Sequence, residues 1–329
     1  VFDHPNFAAQ GAGVIYYGDE IERPFATDAN KFALFCAAAA AWVAQTTRKP
    51  DVVHAHDWHA ALYLLFARFD VRLSELQSIP TVFTIHNLGY QGTRPLRDDE
   101  SSLAAWFPDL DADIGAVVDP VHDNCINPMA AAIRLADRVS TVSGTYAGEI
   151  CRPSDPAAGF IGGEGLENLL SAARDEGRLL GILNGCEYDV PRGRRPGWMR
   201  LLGMIEAQLQ DWRQRDPASD AHQLALQRIA ALPKRRPVHV LTSIGRFVAQ
   251  KATLLLLDAE NGNSPLQRLA SKLGRSGAII VLGSGEQVFE ERMLGVAREC
   301  PNVLFLNGYS EILANPLYAA GDLFLMPSS

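Results

Sequence analysis

Short apolar, β-branched runs alternate with longer segments of helical periodicity along most of the chain. The apolar runs predict buried strands, and the periodic segments predict the helices between them. In the first half the predicted strands are Gly13 to Tyr17, Asp51 to His56, Thr81 to Ile85, Arg138 to Val142 and Leu179 to Leu183. The predicted helices are Asp28 (as N-cap) to Thr46, Trp58 to Phe69, Asn127 to Ala136, Thr145 to Ile150 and Leu166 to Arg174. This alternation indicates a parallel sheet with helices on both faces.

A break in the pattern separates two such regions. Residues 187 to 198 are rich in proline, glycine and arginine, and a mostly helical stretch follows. A second alternation begins at Pro237, with strands predicted at Val238 to Ser243, Ala278 to Leu282, Val303 to Leu306 and Leu323 to Met326. The predicted helices lie near Thr253 and at Leu266 to Leu273, Gln287 to Glu299 and Glu311 to Ala319.

The predicted fold class is therefore α/β, with two Rossmann-like domains facing each other across a cleft. The predicted divisions are an N-terminal domain at 1–187, a linker with connecting helices at 188–236 and a second domain at 237–329.

Composition narrows the class of protein. The chain has 329 residues, a formal charge of −8 and 47% hydrophobic residues, which is enough for two cores. The acidic balance argues against nucleic acid or an anionic membrane as a partner, and no apolar run is long enough to span a bilayer. Five scattered cysteines without C-x-x-C spacing indicate a reducing, cytoplasmic compartment. The chain begins at Val1 and ends on an apolar run, so we expect a piece of a longer protein.

The strand ending at His56 carries a dense polar cluster, His54-Ala55-His56-Asp57-Trp58-His59. Three His and one Asp are ligand types that zinc and iron sites use, so a metal-dependent hydrolase is one hypothesis. Strand alternation places His54 and His56 on one face, whereas Asp57 starts the turn. The other interpretations are core histidines with a helix-capping Asp57, or contacts to a sugar or a phosphate at the strand end.

The next strand ends in the same chemistry, His86-Asn87, followed at once by Gly89 and Gly92. An Asn at a strand end often only turns the chain. However, ligands of open α/β sheets bind beyond the carboxyl ends of the strands. Two neighbouring strands that end in His, Asp and Asn therefore favour a binding site.

The first strand of the second domain ends in Gly245-Arg246. Lys251 follows five residues after Arg246, near the start of the next predicted helix. Two fixed cations beside a helix N-terminus suit a diphosphate, although a solvated loop is the alternative. Gly283 begins a short glycine loop after the next strand, and Asn184-Gly185 follows the last strand of the first domain. Neither is a dinucleotide fingerprint. Together these residues suit a nucleotide sugar, with the diphosphate on the cationic side.

Six motifs in order resemble the bacterial glycogen synthase and plant starch synthase family. They are His54 to His59, Thr84 to Gly92, Ala136 to Ser143, Gly181 to Gly185, Gly245-Arg246 with Gln250-Lys251, and Asp322 to Ser328. The resemblance implies a retaining glucosyltransferase of the GT-B fold. Such enzymes move glucose from ADP-glucose to the non-reducing end of an α-1,4-glucan such as glycogen, without a metal or another cofactor.

The resemblance also implies roles for particular residues. His86, Arg246 and Lys251 would be catalytic: His86 would contact the transferred glucose, and the two cations would bind the diphosphate and stabilise its departure. The residues expected to bind substrate are Asp57, His59, Asn87, Asn184 and Gly283.

The chain departs from the family pattern at both ends. It has no copy of the family's N-terminal Lys-x-Gly-Gly loop, and it stops at Ser329, before the family's Glu-Pro-Cys-Gly. We therefore expect an incomplete start of the first domain and an incomplete second domain, in a fragment that is inactive by itself. The alternatives are a GT-B glycosyltransferase that uses UDP-glucose, and a non-catalytic glucan-binding or truncated relative.

Overall fold

The computed structural model describes residues 2–7, 26–155, 157, 160–185, 195–257 and 262–327. The strand predicted at Gly13 to Tyr17 lies outside these residues. The chain divides into two compact units, Val1–Cys186 and Glu187–Ser329.

The first unit has strands and helices in alternation after residue 50. Its strands are β1 (Val53–His56), β2 (Thr81–Ile85), β3 (Arg94–Pro95), β4 (Cys125–Ile126), β5 (Arg138–Thr141) and β6 (Leu179–Gly181). Its α-helices are α1 (Ala26–Gln45), α2 (Asp57–Ala61), α3 (Tyr63–Phe69), α4 (Leu103–Trp106), α5 (Ile114–Val117), α6 (Pro128–Leu135), α7 (Gly144–Glu149) and α8 (Glu167–Asp175). Short 3₁₀ helices lie at Pro5–Phe7 and Val71–Ser78.

Four of these strands form one parallel sheet in the order β1-β2-β5-β6. One face of the sheet is apolar: Ala55, Phe83, Ile85 and Val139 are buried in a core shared with α2, α6 and α8. A second cluster packs α1 and α3 together. All four strands run in the same direction, so their carboxyl ends meet at one edge of the sheet.

Two helix predictions in this unit need correction. Asp28 was predicted as the N-cap, but it lies inside the first turn of α1 and is buried. Its carboxylate is paired there with Lys31 Nζ at 3.2 Å, which offsets the cost of burying a charge. The single helix predicted at Trp58 to Phe69 is two helices that meet at Leu62.

The second unit repeats the pattern. Its strands are β7 (His239–Ile244), β8 (Gly277–Gly283), β9 (Val303–Asn307) and β10 (Leu323–Phe324). Its α-helices are α9 (Trp198–Arg215), α10 (Asp220–Ala231), α11 (Ala249–Leu256), α12 (Pro265–Leu273), α13 (Gln287–Glu299) and α14 (Glu311–Ala320), with a 3₁₀ turn at Gly274–Ser276.

These four strands also form one parallel sheet, in the order β10-β7-β8-β9. Every residue of β8 is buried, as expected for a central strand covered on both faces. The helices α9 and α10, which lie in the segment expected to be a linker, contribute Leu201, Ile205 and Ile229 to the core under this sheet. In the part of the chain that the structure describes, no helix is both long enough and apolar enough to span a bilayer.

Candidate functional site

A row of polar side chains crosses one face of the first sheet. The strand register pairs His56 with Thr84 and Thr84 with Ser140, so these three residues share a face. Thr84 Oγ1 lies 2.6 Å from Ser140 Oγ and 2.7 Å from His54 Nε2. The hydroxyls are buried, whereas the histidines at the outer end of the row are exposed.

The row ends in a contact between two imidazole rings at the carboxyl edge of the sheet. His56 Nδ1 lies 3.0 Å from His86 Nε2, and the His54 ring lies 4.1 Å from the His56 ring, centroid to centroid. Partial desolvation by its neighbours, followed by the nearby His54 and His86, lowers the pKa of His56, while Asp57 opposes this shift. We expected His54 and His56 on one face from strand alternation, but the pairing of His56 with His86 depends on the β1–β2 register.

Asp57 connects the ends of β1 and β2. It adopts a positive φ of 52°. Its Oδ1 accepts hydrogen bonds from the backbone N–H of His86 at 2.8 Å and of Asn87 at 3.3 Å. The carboxylate therefore holds the backbone of the following strand end rather than capping its own helix.

Asn87 forms the turn that follows. Its Oδ1 accepts from the Gly89 N–H at 3.0 Å, which is the turn-forming use of a strand-end Asn. Tyr146, on α7, also belongs to this edge, and sequence reasoning missed it. Burial raises the pKa of its phenol, the Leu88 N–H bonded to it opposes the shift, and the Asp57 charge adds to it. A polar residue soon after the end of β5 was the available signal.

His59 does not join the histidine pair. It lies on α2, and its ring packs against Phe32 and Trp58 at centroid distances of 4.6 and 4.5 Å. Burial lowers the pKa of His59, and Asp57 and Asp28 oppose the shift. Among the residues that the structure describes, no group of three His, Cys, Asp or Glu side chains could hold a metal ion. The cluster that is dense in sequence is thus divided between a strand face and a helix.

Asn184 lies three residues beyond the end of β6 and is exposed. It follows a strand whose carboxyl end lies at the same edge as those of β1 and β2. However, β5 separates β6 from β2 in the sheet. Adjacent strands are about 4.8 Å apart, so the ends of β6 and β2 are separated by about 10 Å, a span that a sugar ring and its hydroxyls can bridge.

The predicted cations follow β7 in the second unit. Arg246 and Lys251 are both exposed, and Lys251 lies in the first turn of α11. The Lys251 Cδ lies 3.9 Å from the position that a Cβ on Gly245 would occupy. The stem of Lys251 therefore runs beside the turn that carries Arg246, and both charged groups are open to solvent.

The glycine loop after β8 packs directly on this turn. The Gly245 N–H donates to the Leu282 carbonyl and the Phe247 N–H to the Ser284 carbonyl, both at 3.0 Å. A Cβ on Gly283 would lie 2.0 Å from the Gly245 carbonyl oxygen. Gly283 is thus required for a close approach of two backbones, and the structure gives it a packing role at the sheet edge.

Glu290 is a second residue that sequence reasoning missed. Its Oε1 accepts from the Gly285 N–H at 2.7 Å, and its Oε2 accepts from Asn307 Nδ2 at 3.1 Å. The side chain therefore joins the loop after β8 to the end of β9. An acidic residue in the first turn of the helix after a glycine loop was the signal.

Two parallel α/β sheets with polar side chains at their carboxyl edges define an α/β protein of the Rossmann-like class. A family model described as "Starch synthase catalytic domain" matches residues 1–172. The glycogen synthase of Desulfitobacterium hafniense is 35% identical over 282 residues, which cover 85% of this chain and 51% of that protein. The glycogen synthase of Deinococcus radiodurans is 33% identical over 316 residues, covering 95% and 59%. The chain belongs to the starch synthase catalytic domain family.

A solved structure agrees with this membership. The catalytic domain of starch synthase IV from Arabidopsis thaliana, bound to ADP and acarbose, is similar with a TM-score of 0.64 and 26% identity. The similarity covers 92% of this chain and 57% of that one. The predicted family and the GT-B fold class are thereby confirmed. The chain spans between half and about three-fifths of the length of the relatives compared here.

Proposed function

We propose that the complete gene product is a glycogen or starch synthase that transfers glucose from ADP-glucose to the non-reducing end of an α-1,4-glucan with retention. The observation that carries the proposal is the arrangement of Asp57, His86 and Asn87 at one sheet edge, within a member of this family. ADP bound to the similar starch synthase IV domain favours ADP-glucose over UDP-glucose as donor.

On the first unit, the proposed sugar site is the edge formed by β1 and β2. Asp57 fixes the backbone at His86, so the carbonyl and the imidazole of His86 are both held at this edge. We assign the contact with the transferred glucose to His86, with its carbonyl beside the anomeric carbon. We assign Asn184, beyond the end of β6, to the same sugar site. His59 supports α2 from behind, so we assign it packing rather than substrate contact.

On the second unit, the proposed diphosphate site is the turn after β7. Departure of the nucleoside diphosphate puts negative charge on its oxygens. Fixed cations stabilise that charge in the transition state, because they are already oriented when the charge develops. Arg246 and Lys251 supply the cations, and the positive end of the α11 helix dipole lies beside them. Gly283 allows the backbone to approach closely beside them.

The test is nucleotide release by the purified complete gene product with glycogen as acceptor. We expect ADP release from ADP-glucose to be much faster than UDP release from UDP-glucose, with α-linked product in the proton NMR spectrum. Preferential use of UDP-glucose would contradict the donor assignment. Retention on a glycogen affinity gel without turnover of either donor would support the non-catalytic glucan-binding alternative instead.

A further inference from the structure

His56 makes a contact whose chemistry constrains its neighbour. Its Nδ1 and the Nε2 of His86 are 3.0 Å apart, with 33° between the ring planes. A hydrogen bond between two imidazole nitrogens needs a proton on one nitrogen and a lone pair on the other. The two rings therefore cannot both be doubly protonated while the bond persists. Whichever nitrogen donates, Nε2 of His86 is engaged and its Nδ1 is left for another partner.

The buried end of the polar row anchors this contact. Ser140 and Thr84 are 5% and 8% exposed, and the Thr84 hydroxyl contacts His54, whose ring lies on that of His56. An exposed ring such as that of His86 would otherwise sample several rotamers and both neutral tautomers. The row connects His86 to the interior of the sheet through His56.

The backbone and the ring of His86 are held by consecutive residues. Asp57 accepts from the His86 N–H at 2.8 Å, and His56 contacts the ring. The positive φ of Asp57 turns its carboxylate towards the end of β2, while His56 stays in the strand with its ring on the sheet face. The consecutive residues His56 and Asp57 therefore hold His86 at two points, its ring and its backbone N–H.

We propose that His56 is a positioning residue that holds the imidazole of His86 in one orientation and one tautomer, so that Nδ1 of His86 faces the transferred sugar. Only the last part, that Nδ1 of His86 faces the transferred sugar, rests on the proposed function. The ring-to-ring bond itself concerns the protein without substrate.

The charges around His56 agree with this role. Burial, His54 and His86 lower the pKa of His56, and the carboxylate of Asp57 only partly offsets them. The lone pair on Nδ1 of neutral His56 can accept a hydrogen bond from the Nε2–H of His86.

Two substitutions separate the hydrogen bond from the ring. His56→Phe keeps the ring but removes the nitrogens, whereas His56→Asn keeps a polar atom near the place of Nδ1. In the complete gene product we expect His56→Phe to lower kcat about tenfold with little change in KM for the donor, as for the loss of one hydrogen bond in the transition state. We expect His56→Asn to recover most of the rate. His239→Phe, at an exposed position on β7, is the matched control and should behave as wild type.

The decisive readout is nitrogen-15 NMR of histidine-labelled protein without substrate. In the wild type we expect one tautomer for His86 and a scalar coupling between His56 Nδ1 and His86 Nε2 across the hydrogen bond. His56→Phe should give a mixture of tautomers. The coupling is measured on the wild type, so the test stands even where a variant does not fold.

The outcomes separate the positioning role from the function. Absence of the coupling, or an unchanged His86 tautomer with a normal kcat in His56→Phe, would overturn the positioning role. Wild-type protein that shows the coupling but transfers no glucose would overturn the proposed function and leave the His56–His86 bond established.

Discussion

At the scale of single residues, His86 depends on neighbours that are distant in sequence. Asp57 holds its backbone and His56 holds its ring, and both lie at the junction of β1 and α2, about thirty positions earlier in the chain. The sequence predicted that His86 and Asp57 would lie at one edge, since both follow adjacent strands. It could not predict that the Asp57 carboxylate would bind backbone N–H groups, because that depends on a positive φ and on strand register.

The proposed roles predict large rate losses from two single substitutions. In the complete gene product, His86→Ala and Lys251→Ala should each lower kcat by about a hundredfold or more, since each removes a preorganised group that interacts with the transition state. Lys272→Ala, at an exposed position on α12, is the control for removal of a positive charge. Initial rates of ADP release measure the effect, and near-normal rates in both site variants would refute the assignment.

The close packing at Gly283 predicts a sharp difference between two glycines. Gly283→Ala places a methyl group 2.0 Å from the Gly245 carbonyl oxygen, which is backbone and cannot rotate away. The free energy of unfolding should fall by about 2 kcal/mol, as for overpacking. Gly295→Ala, on α13 with open space around the new methyl group, should raise it by up to about 1 kcal/mol. Urea denaturation of both variants checks this, and equal effects would contradict the packing argument.

At the scale of elements, most of the longer helices and strands follow from local patterns, whereas several of their ends do not. The helix predicted at Gln287 to Glu299 is confirmed in full, because its apolar periodicity is uninterrupted. The strand predicted to reach Leu183 ends at Gly181. Beyond that point the Ile182 N–H still donates to the Thr141 carbonyl at 2.8 Å, but the apolar side chains of Ile182 and Leu183 are exposed.

The link that Glu290 makes between two strand ends gives an element-scale prediction. Glu290→Ala leaves the Gly285 N–H and the Asn307 amide without their acceptor. We expect a loss of about 1 to 3 kcal/mol in unfolding free energy and a weaker affinity for the nucleotide donor. Glu291→Ala is the matched control, because that carboxylate bonds only the exposed Gln287 among the contacts described here. Denaturation and donor titration measure the two effects, and equal behaviour of the two variants would contradict the proposed link.

At the scale of the whole molecule, each unit has an aspartate carboxylate that joins the starts of two neighbouring strands. Asp137 Oδ2 accepts from the N–H and the hydroxyl of Thr81 at 2.7 and 2.8 Å, which joins the starts of β5 and β2. Asp322 Oδ2 accepts from the Val240 N–H at 2.8 Å and from Arg236 at 2.9 Å, which joins the starts of β10 and β7. Each unit therefore has its own core and its own carboxylate at the amino edge of its sheet.

These carboxylates predict loss of stability in acid. Burial would raise the pKa of Asp137, but the bonds from Thr81 and the charge of Arg68 outweigh it and hold the pKa below its ordinary value. A depressed carboxyl pKa contributes stability above about pH 4 that is lost as pH falls through the folded-state value. Asp137→Asn should therefore destabilise the protein by about 1 kcal/mol near neutral pH and by less in acid. Urea denaturation of the wild type and of Asp137→Asn, near neutral pH and in acid, checks this. A difference in unfolding free energy that does not change with pH would contradict it.

Because the two units have separate cores, we expect substitutions in them to have additive effects on the free energy of unfolding. Burial is likewise outweighed at Asp322, where the Val240 N–H and the charges of Arg236 and Arg195 hold the pKa below its ordinary value. Asp137→Asn should weaken hydrogen-exchange protection in the first unit and Asp322→Asn in the second. In the double variant the two losses of unfolding free energy should add to within about 0.5 kcal/mol. A large coupling energy would show that the two sites interact. Weaker protection of both units in either single variant would show that the units unfold as one.

The sequence by itself determined the fold class, the order of the sheet-forming strands and of most long helices, and the family, because hydrophobic periodicity and short motifs are local properties of the chain. It also placed His86, Arg246 and Lys251 at strand ends. Only the tertiary structure decided which side chains contact each other. The His56–His86 bond, the Asp57 bridge and the packing of Gly283 depend on strand register and on backbone approach, which bring together residues far apart in sequence. For the same reason His59, inside the richest motif, packs against α1 rather than joining the histidine pair.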